Sequence, residues 1–221
     1  NDCDYNFIGS LDDICYLYNI RGNDVLYNPV IISYALVGKD FANLYIDDEK
    51  IDDDLIELLK EQGVTVKAYE KVFEDLSELP GKSVLFLDPS KTNVRIYTSI
   101  NSNIRISKGI QPTTLMKAHK NETEIKNQKN AYIKDGVALV KFFNWVETGT
   151  PTGNVTEMSA ADKLRYFREQ GDLFMDLSFG TISAYGENAA LPHYEPSVDH
   201  PVTLQPKGLY LVDSGAQYLD G

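Results

Sequence analysis

The feature of this sequence that most constrains its fold is a change of pattern at Gln111-Pro112. Before this point, short apolar runs alternate with amphipathic segments, which is typical of an α/β layer structure. After it, a long helical pattern runs from Glu122 to Glu147, a second helix follows, and strands come only after both. That order favours an α+β domain. We therefore predict two domains, 1–111 and 112–221.

Local signals place the elements of the first domain. Ser10 is predicted to cap a helix, with Asp13 in the capping-box position. The acidic run Asp47–Asp54 is predicted to be a solvated helix start, because it lacks the central glycine and the spaced ligands of a calcium loop. The residues predicted to face inward on the following helix are Leu55, Leu58 and Leu59. The predicted strands are 31–37, 41–46, 64–69, 83–88 and 104–107.

The second domain should begin with an amphipathic helix. Apolar residues recur in it at spacings of seven, four and three, which defines one helical face. These residues are Tyr132, Leu139, Phe143 and Val146, and Phe142 and Trp145 are also expected in the core. Apolar residues alternate strictly from Leu173 to Phe179, which predicts a strand with one buried face.

Composition narrows the class of protein. The formal net charge of −12 argues against nucleic acid or an anionic membrane as the main partner, since both need a basic surface. Two cysteines, Cys3 and Cys15, form no CxxC pair, and Cys15 lies among apolar residues as a buried thiol would. No apolar run approaches the length of a membrane span. A cytoplasmic location is the simplest interpretation.

A histidine and an aspartate near the end of the sequence could carry chemistry. His193 and Asp213 lie at the ends of two apolar runs that are predicted to be neighbouring strands. A carboxylate at the end of Leu209–Val212 should be largely buried, and burial requires a metal ion, a cationic side chain or backbone donors to compensate it. Asp213 could bind a metal or cap the turn after it, and His193 could be functional or a core residue. One carboxylate and one imidazole are too few to hold a hydrolytic metal.

Several collinear blocks resemble one known family. The run Phe179-Gly-Thr-Ile-Ser-Ala-Tyr-Gly-Glu-Asn-Ala-Ala-Leu-Pro-His-Tyr, followed by Val212-Asp-Ser-Gly-Ala-Gln-Tyr, resembles the creatinase/prolidase/methionine aminopeptidase superfamily with the pita-bread fold. Blocks at Tyr18–Val25 and Asn28–Val30 make the chain most similar to the large, three-domain Xaa-Pro aminopeptidases. The resemblance extends over nearly the whole sequence.

The resemblance implies a fold and a site. Residues 1–111 would be part of the creatinase N-terminal-like middle domain, and 112–221 the first half of the pita-bread catalytic domain. Asp213 would be the first of five ligands of two divalent metal ions, of the manganese type. His193 would lie beside the metals and contact the substrate. The sequence contains no counterpart of the other ligands, so we expect it to be a fragment that is inactive alone.

The resemblance also implies an activity. A hydroxide between the metals would attack the carbonyl that precedes a proline and release the first residue of the peptide. The partners would be peptides with proline second, and the protein would be a homodimer. The alternative is a pita-bread domain that binds peptides or proteins without cleaving them, as in a histone chaperone. The presence of the remaining ligands in the longer protein would separate the two.

Overall fold

The computed structural model describes residues 3–221, which form two compact units. The first contains the described residues up to Val25 and Pro29–His119, and the second contains Leu26–Asn28 and Lys120–Gly221. The division falls a few residues after the predicted boundary at 111/112. A short helix, α5 (Pro112–Ala118), accounts for the difference because it packs against α1 (Leu11–Tyr18) of the first unit.

The first unit is a six-stranded sheet with helices on both faces. Its strands are β1 (Tyr5–Ile8), β2 (Ser33–Gly38), β3 (Ala42–Ile46), β4 (Val64–Ala68), β5 (Val84–Leu87) and β6 (Arg105–Lys108). They lie in the order β4-β3-β2-β1-β5-β6, with β2 antiparallel to both of its neighbours and the other pairs parallel. The remaining helices are α2 (Asp53–Glu61), α3 (Lys71–Glu78) and α4 (Val94–Ser99). The predicted α/β structure is confirmed.

Successive strand residues separate the core of this unit into two layers. Ile8 packs with residues of α1 and α2, whereas Phe7 packs with residues of α3 and α4. This alternation is the period-two geometry of a strand that is covered on both faces. The charged residues of the run Asp47–Asp54 are exposed, and Asp52 caps α2 through the Leu55 N–H, so the predicted solvated helix start is confirmed.

Two local predictions in this unit are wrong. Ser10 makes no side-chain capping bond; its hydroxyl donates to Asp12, and Asp13 is buried, where it accepts a hydrogen bond from Thr114 at 2.6 Å. The Asp13 carboxylate is therefore bonded to Thr114 of α5 instead of to the backbone N–H of Ser10, as a capping box would require. Leu58 is 50% exposed rather than inward, while Leu59 is buried.

Hydrogen bonds and an ion pair from charged side chains hold the polar loop between α1 and β2 in place. Arg21 donates to the carbonyls of Ile20 and Cys15, which satisfies acceptors at the end of α1. Asp24 accepts the Ile32 N–H at 2.7 Å and forms an ion pair with Lys50 at 2.9 Å. The hydrogen bond from Lys50 and then that from Ile32 hold the pKa of Asp24 below its ordinary value.

We expect Asp24→Asn to lower the stability of the first unit by about 1 kcal/mol at neutral pH. A carboxyl with a depressed folded pKa stabilises above its ordinary pKa and loses that contribution as the pH falls through the folded value. The difference between wild type and variant should therefore be constant above about pH 5 and shrink below about pH 4. Urea denaturation at several pH values measures it. Asp40→Asn, at an exposed position, is the control; equal pH dependence in both variants would refute the assignment.

The second unit combines two helices with two small sheets. Its helices are α6 (Glu122–Gly149) and α7 (Glu157–Glu169), and its strands are β7 (Phe174–Leu177), β8 (Ile182–Tyr185), β9 (Tyr210–Asp213) and β10 (Ala216–Tyr218). Strand β7 pairs with β10, and β8 with β9, both antiparallel. The predicted order of helices before strands is confirmed. Within residues 3–221, no helix is both long enough and apolar enough to span a bilayer.

The buried faces of this unit differ from those predicted. On α6 the buried residues are Ala131, Ala138 and Phe142, whereas Tyr132 is 72% and Phe143 57% exposed. The face that packs on α7 is thus displaced by about one residue, although Leu139 and Val146 do border the core. On β7 only Leu177 of the predicted alternating set is buried; Leu173 and Met175 are at least half exposed.

Candidate functional site

Asp213 lies at the end of β9, where two small sheets meet along the chain. It pairs with Ile182 at the start of β8, and Ala216, three residues later, pairs with Leu177 of β7. The carboxylate is exposed, so the prediction that it is largely buried is wrong. A two-stranded ladder explains this, since its outer positions remain open to solvent. Among the described residues the carboxylate has no hydrogen bond or ion pair.

The turn after Asp213 is fixed through Gly215. Its carbonyl accepts the Ser178 N–H at 3.0 Å and an Arg168 Nη1–H at 3.4 Å. A Cβ at this position would lie 2.1 Å from Ser178 Oγ and 3.2 Å from a ring carbon of Phe179, so a side chain here would force the Ser178 hydroxyl to rotate away and the ring to shift. The bonds that hold this turn come from its backbone and not from the Asp213 side chain, which leaves that carboxylate available to a ligand.

A buried ion pair supports the same region. Arg168 on α7 is 1% exposed, and its Nε and Nη2 donate to the two Asp135 oxygens at 2.8 and 3.1 Å. The hydroxyl of Tyr218 donates to Asp135 Oδ1 at 3.2 Å. Burial and then Asp135 raise the pKa of Tyr218 to about 12. The pair therefore joins α6, α7 and β10 beneath the turn that carries Asp213. Sequence reasoning missed it because an arginine late in a helix is normally exposed.

His193 lies in the long connection between β8 and β9. The run Ala189–Leu191, predicted to be a strand, is instead the end of a 3₁₀ helix (Gly186–Ala190) and its cap. The histidine is exposed and has a φ of 54°, in the left-handed region. Its loop leaves β8 at Tyr185, whereas Asp213 pairs with Ile182 at the other end of that strand. The two residues therefore do not share a strand end as predicted, and they make no direct hydrogen bond.

Glu157, in the first turn of α7, holds the first part of this connection. Its carboxylate is 1% exposed and accepts hydrogen bonds from the Tyr185 N–H at 2.5 Å, Asn188 Nδ2 at 3.1 Å and the Tyr194 hydroxyl at 2.6 Å. Its own carbonyl accepts from Ser183 Oγ at 2.6 Å. Sequence reasoning did not single out Glu157; its only signal was the position directly after the helix-capping Thr156.

The described residues do not complete a metal centre. Between residues 3 and 221, no group of three or more histidine, cysteine, aspartate and glutamate side chains is placed to hold an ion. Asp213 offers one open carboxylate, which is the kind of ligand that hard divalent cations accept. Such a carboxylate could serve a metal only together with ligands from outside the described residues.

Two family profiles divide the chain between them. Residues 1–124 match the creatinase/prolidase N-terminal domain, and residues 126–221 match metallopeptidase family M24. The first match covers more than half of the chain.

Curated proteins and a solved structure match nearly the whole chain. It is 41% identical to Xaa-Pro aminopeptidase 1 of Dictyostelium discoideum over 99% of its length, and 37% identical to a probable Xaa-Pro aminopeptidase P of Sordaria macrospora over 97%. It superimposes with a TM-score of 0.92 and 34% identity on the X-prolyl aminopeptidase of Caenorhabditis elegans, described as a cytosolic enzyme with a dinuclear active site. The chain spans only 35%, 37% and 37% of these three proteins, respectively.

Proposed function

Because the chain belongs to the creatinase/prolidase family, with an M24 metallopeptidase segment after its N-terminal domain, we propose that the protein that carries it is an Xaa-Pro aminopeptidase. Its substrates would be peptides with proline in the second position. The observation that carries this proposal is the state of Asp213. A carboxylate at the end of one backbone ladder, three residues before the start of the next and without a partner among residues 3–221, is open to a cation.

Two divalent ions, when bound, would supply the nucleophile by lowering the pKa of a bound water. Asp213 would contribute one carboxylate ligand, and the other ligands would come from the additional length that the relatives have. A carboxylate-rich set suits manganese. His193, with its exposed ring, would contact the substrate near the bond that is cleaved. These residue roles and the choice of manganese rest on the family resemblance together with the geometry of the two residues.

The 221-residue chain by itself should bind manganese weakly and hydrolyse nothing. One carboxylate cannot dehydrate and hold a divalent ion against water. Calorimetric titration of the isolated chain with manganese tests this directly, since tight binding would contradict the expectation. The cytoplasmic location and the homodimer are likewise parts of the proposal.

We expect Asp213→Ala in the full-length, manganese-loaded protein to lose hydrolysis of an Xaa-Pro-Xaa peptide by about 100-fold or more, the scale of losing one transition-state stabilising group. Asp199→Ala, another exposed aspartate of the same unit, should keep wild-type activity. The measurement is release of the first residue, with bound manganese determined in parallel. Equal activity of Asp213→Ala and wild type would refute the role of Asp213.

The alternative function, a module that binds peptides without cleaving them, predicts a different outcome. Wild type would then bind the peptide without releasing its first residue at any manganese concentration. The open carboxylate of Asp213 favours the enzyme, because a binding module has no need of a fixed ligand position for a metal.

A further inference from the structure

We infer that Glu157 is a positioning residue that holds the segment 185–194, which contains His193, and this inference rests on the proposed function for its catalytic consequence. Tyr185, Asn188 and Tyr194 all belong to the segment that surrounds His193, and each donates to Glu157. Glu157 thus accepts hydrogen bonds from the first residue, a middle residue and the last residue of a ten-residue segment (185–194).

The donors around Glu157 fit the role of a clamp, a side chain that holds its segment by several hydrogen bonds. The partners of Glu157 are an amide N–H, an amide NH₂ and a phenol, and no arginine or lysine pairs with it among the described residues. A buried carboxylate without a cation depends on such donors. Glu157 and then burial raise the pKa of Tyr194 to about 12, so this phenol keeps its proton, and therefore its donated hydrogen bond, at physiological pH.

The clamp acts next to a strained residue. His193 has a φ of 54°, a conformation that L-residues seldom adopt and that persists only where surrounding contacts impose it. The adjacent residue, Tyr194, is held by Glu157 at 2.6 Å, and Asn188 also bonds to the Tyr194 hydroxyl at 3.0 Å. These bonds anchor the side chain next to His193, while His193 itself stays exposed.

A second set of hydrogen bonds, between backbone groups, holds the end of the β8–β9 connection near Val202 and Leu204. The Glu157 N–H donates to the Val202 carbonyl at 3.0 Å, and the Leu204 N–H donates to the Val155 carbonyl at 2.8 Å. The start of α7 therefore holds the chain both before and after the exposed stretch that contains His200. Loss of the Glu157 side chain would remove only the hydrogen bonds to segment 185–194, which contains His193. The backbone bonds to Val202 and Leu204 would remain.

A double-mutant cycle in the full-length, manganese-loaded protein tests the inference. Glu157→Ala should lower kcat/KM for an Xaa-Pro-Xaa peptide by about 10- to 100-fold, the scale of a misplaced catalytic group. In a His193→Ala background the same change should cost less than about threefold, because the group that it positions is gone. A merely structural role predicts the same factor in both backgrounds, and that result would overturn the inference.

Conservative variants separate positioning from loss of the fold. Glu157→Gln should keep activity within about threefold of wild type, since the amide oxygen can accept from Tyr185 and the Tyr194 hydroxyl can accept from the amide NH₂. Tyr194→Phe removes the bond to Glu157 and the bond from Asn188 but leaves the Tyr185 and Asn188 bonds of Glu157, so it should fall between Glu157→Gln and Glu157→Ala. A Glu157→Gln variant as inactive as Glu157→Ala, at wild-type manganese content, would contradict the clamp.

Hydrogen exchange supplies a measurement that does not depend on activity. Amides of 186–194 should exchange about tenfold or more faster in Glu157→Ala, while those of α6 keep their wild-type rates. Unchanged exchange of 186–194 would overturn the inference. An inactive wild type would instead refute the proposed function and with it the catalytic consequence, and the exchange rates would still decide whether Glu157 fixes the segment.

Discussion

Replacement of Arg168 by alanine is expected to lower the free energy of unfolding of the second unit by about 3 kcal/mol. Removal of one partner of a buried ion pair costs about 3 to 5 kcal/mol, because the other charge stays buried without compensation. The lower end applies here, since the Asp135 side chain keeps 21% of its surface exposed. The variant also loses the hydrogen bond to the Gly215 carbonyl, so the turn after Asp213 should become more mobile.

Urea denaturation followed by tryptophan fluorescence measures this effect, because the single tryptophan, Trp145, lies on α6 of the same unit. The matched control is Arg165→Ala, one turn earlier on α7, whose exposed ion pair with Glu169 should contribute less than about 1 kcal/mol. The double variant Arg168→Met, Asp135→Leu should recover part of the loss, since apolar residues can replace a buried pair. Equal destabilisation by Arg168→Ala and Arg165→Ala would show that the buried pair is not formed.

Phe142→Ala should destabilise the same unit by about 3 to 5 kcal/mol, the usual cost of removing a fully buried aromatic side chain. Phe142 is completely buried and packs with Leu164, Val155 and neighbouring apolar residues. The loss combines the transfer of the ring to water with the cavity that remains. Urea denaturation of the 221-residue chain measures it.

Phe143→Ala is the matched control, since it removes the same group from the next position of the helix. Phe143 is 57% exposed, and alanine has the higher helix propensity, so the change should stay within about 0.5 kcal/mol. The sequence prediction places both Phe142 and Phe143 in the core, so it expects losses of similar size from the two variants. A loss in Phe143→Ala as large as that in Phe142→Ala would therefore restore that prediction and contradict the structure.

The helix α6 shows why the sequence located the element but not its buried face. Two parallel apolar rows run along it, one through Tyr132, Leu139 and Phe143 and one through Ala131, Ala138 and Phe142. Both rows have helical spacing, so periodicity alone cannot choose between them. The choice depends on where α7 packs, and the second row carries small alanines that allow close approach.

Asp213 shows the same division at the candidate site. Its place at a strand end was predicted from the apolar run and the turn residues that follow, but the strand that it pairs with is Ile182–Tyr185 and not the run before His193. Its exposure was not predicted. An apolar run indicates a strand but does not show whether other parts of the chain cover that strand. His193 was expected at a strand end and lies in a loop, since the Ala-Ala-Leu run before it has no partner strand and forms a 3₁₀ turn.

The sequence by itself determined the family, the α/β unit followed by an α+β unit, the order of most elements and the acidic charge. These properties follow from local patterns and from collinear motifs, each of which is contained within a short window of residues. Only the tertiary structure decided the partners of the charged groups: Arg168 with Asp135, and Glu157 with Asn188 and Tyr194. These partners are 31 to 37 residues apart along the chain. A charged side chain becomes buried only where distant donors or acceptors converge on it, and no local pattern records that convergence.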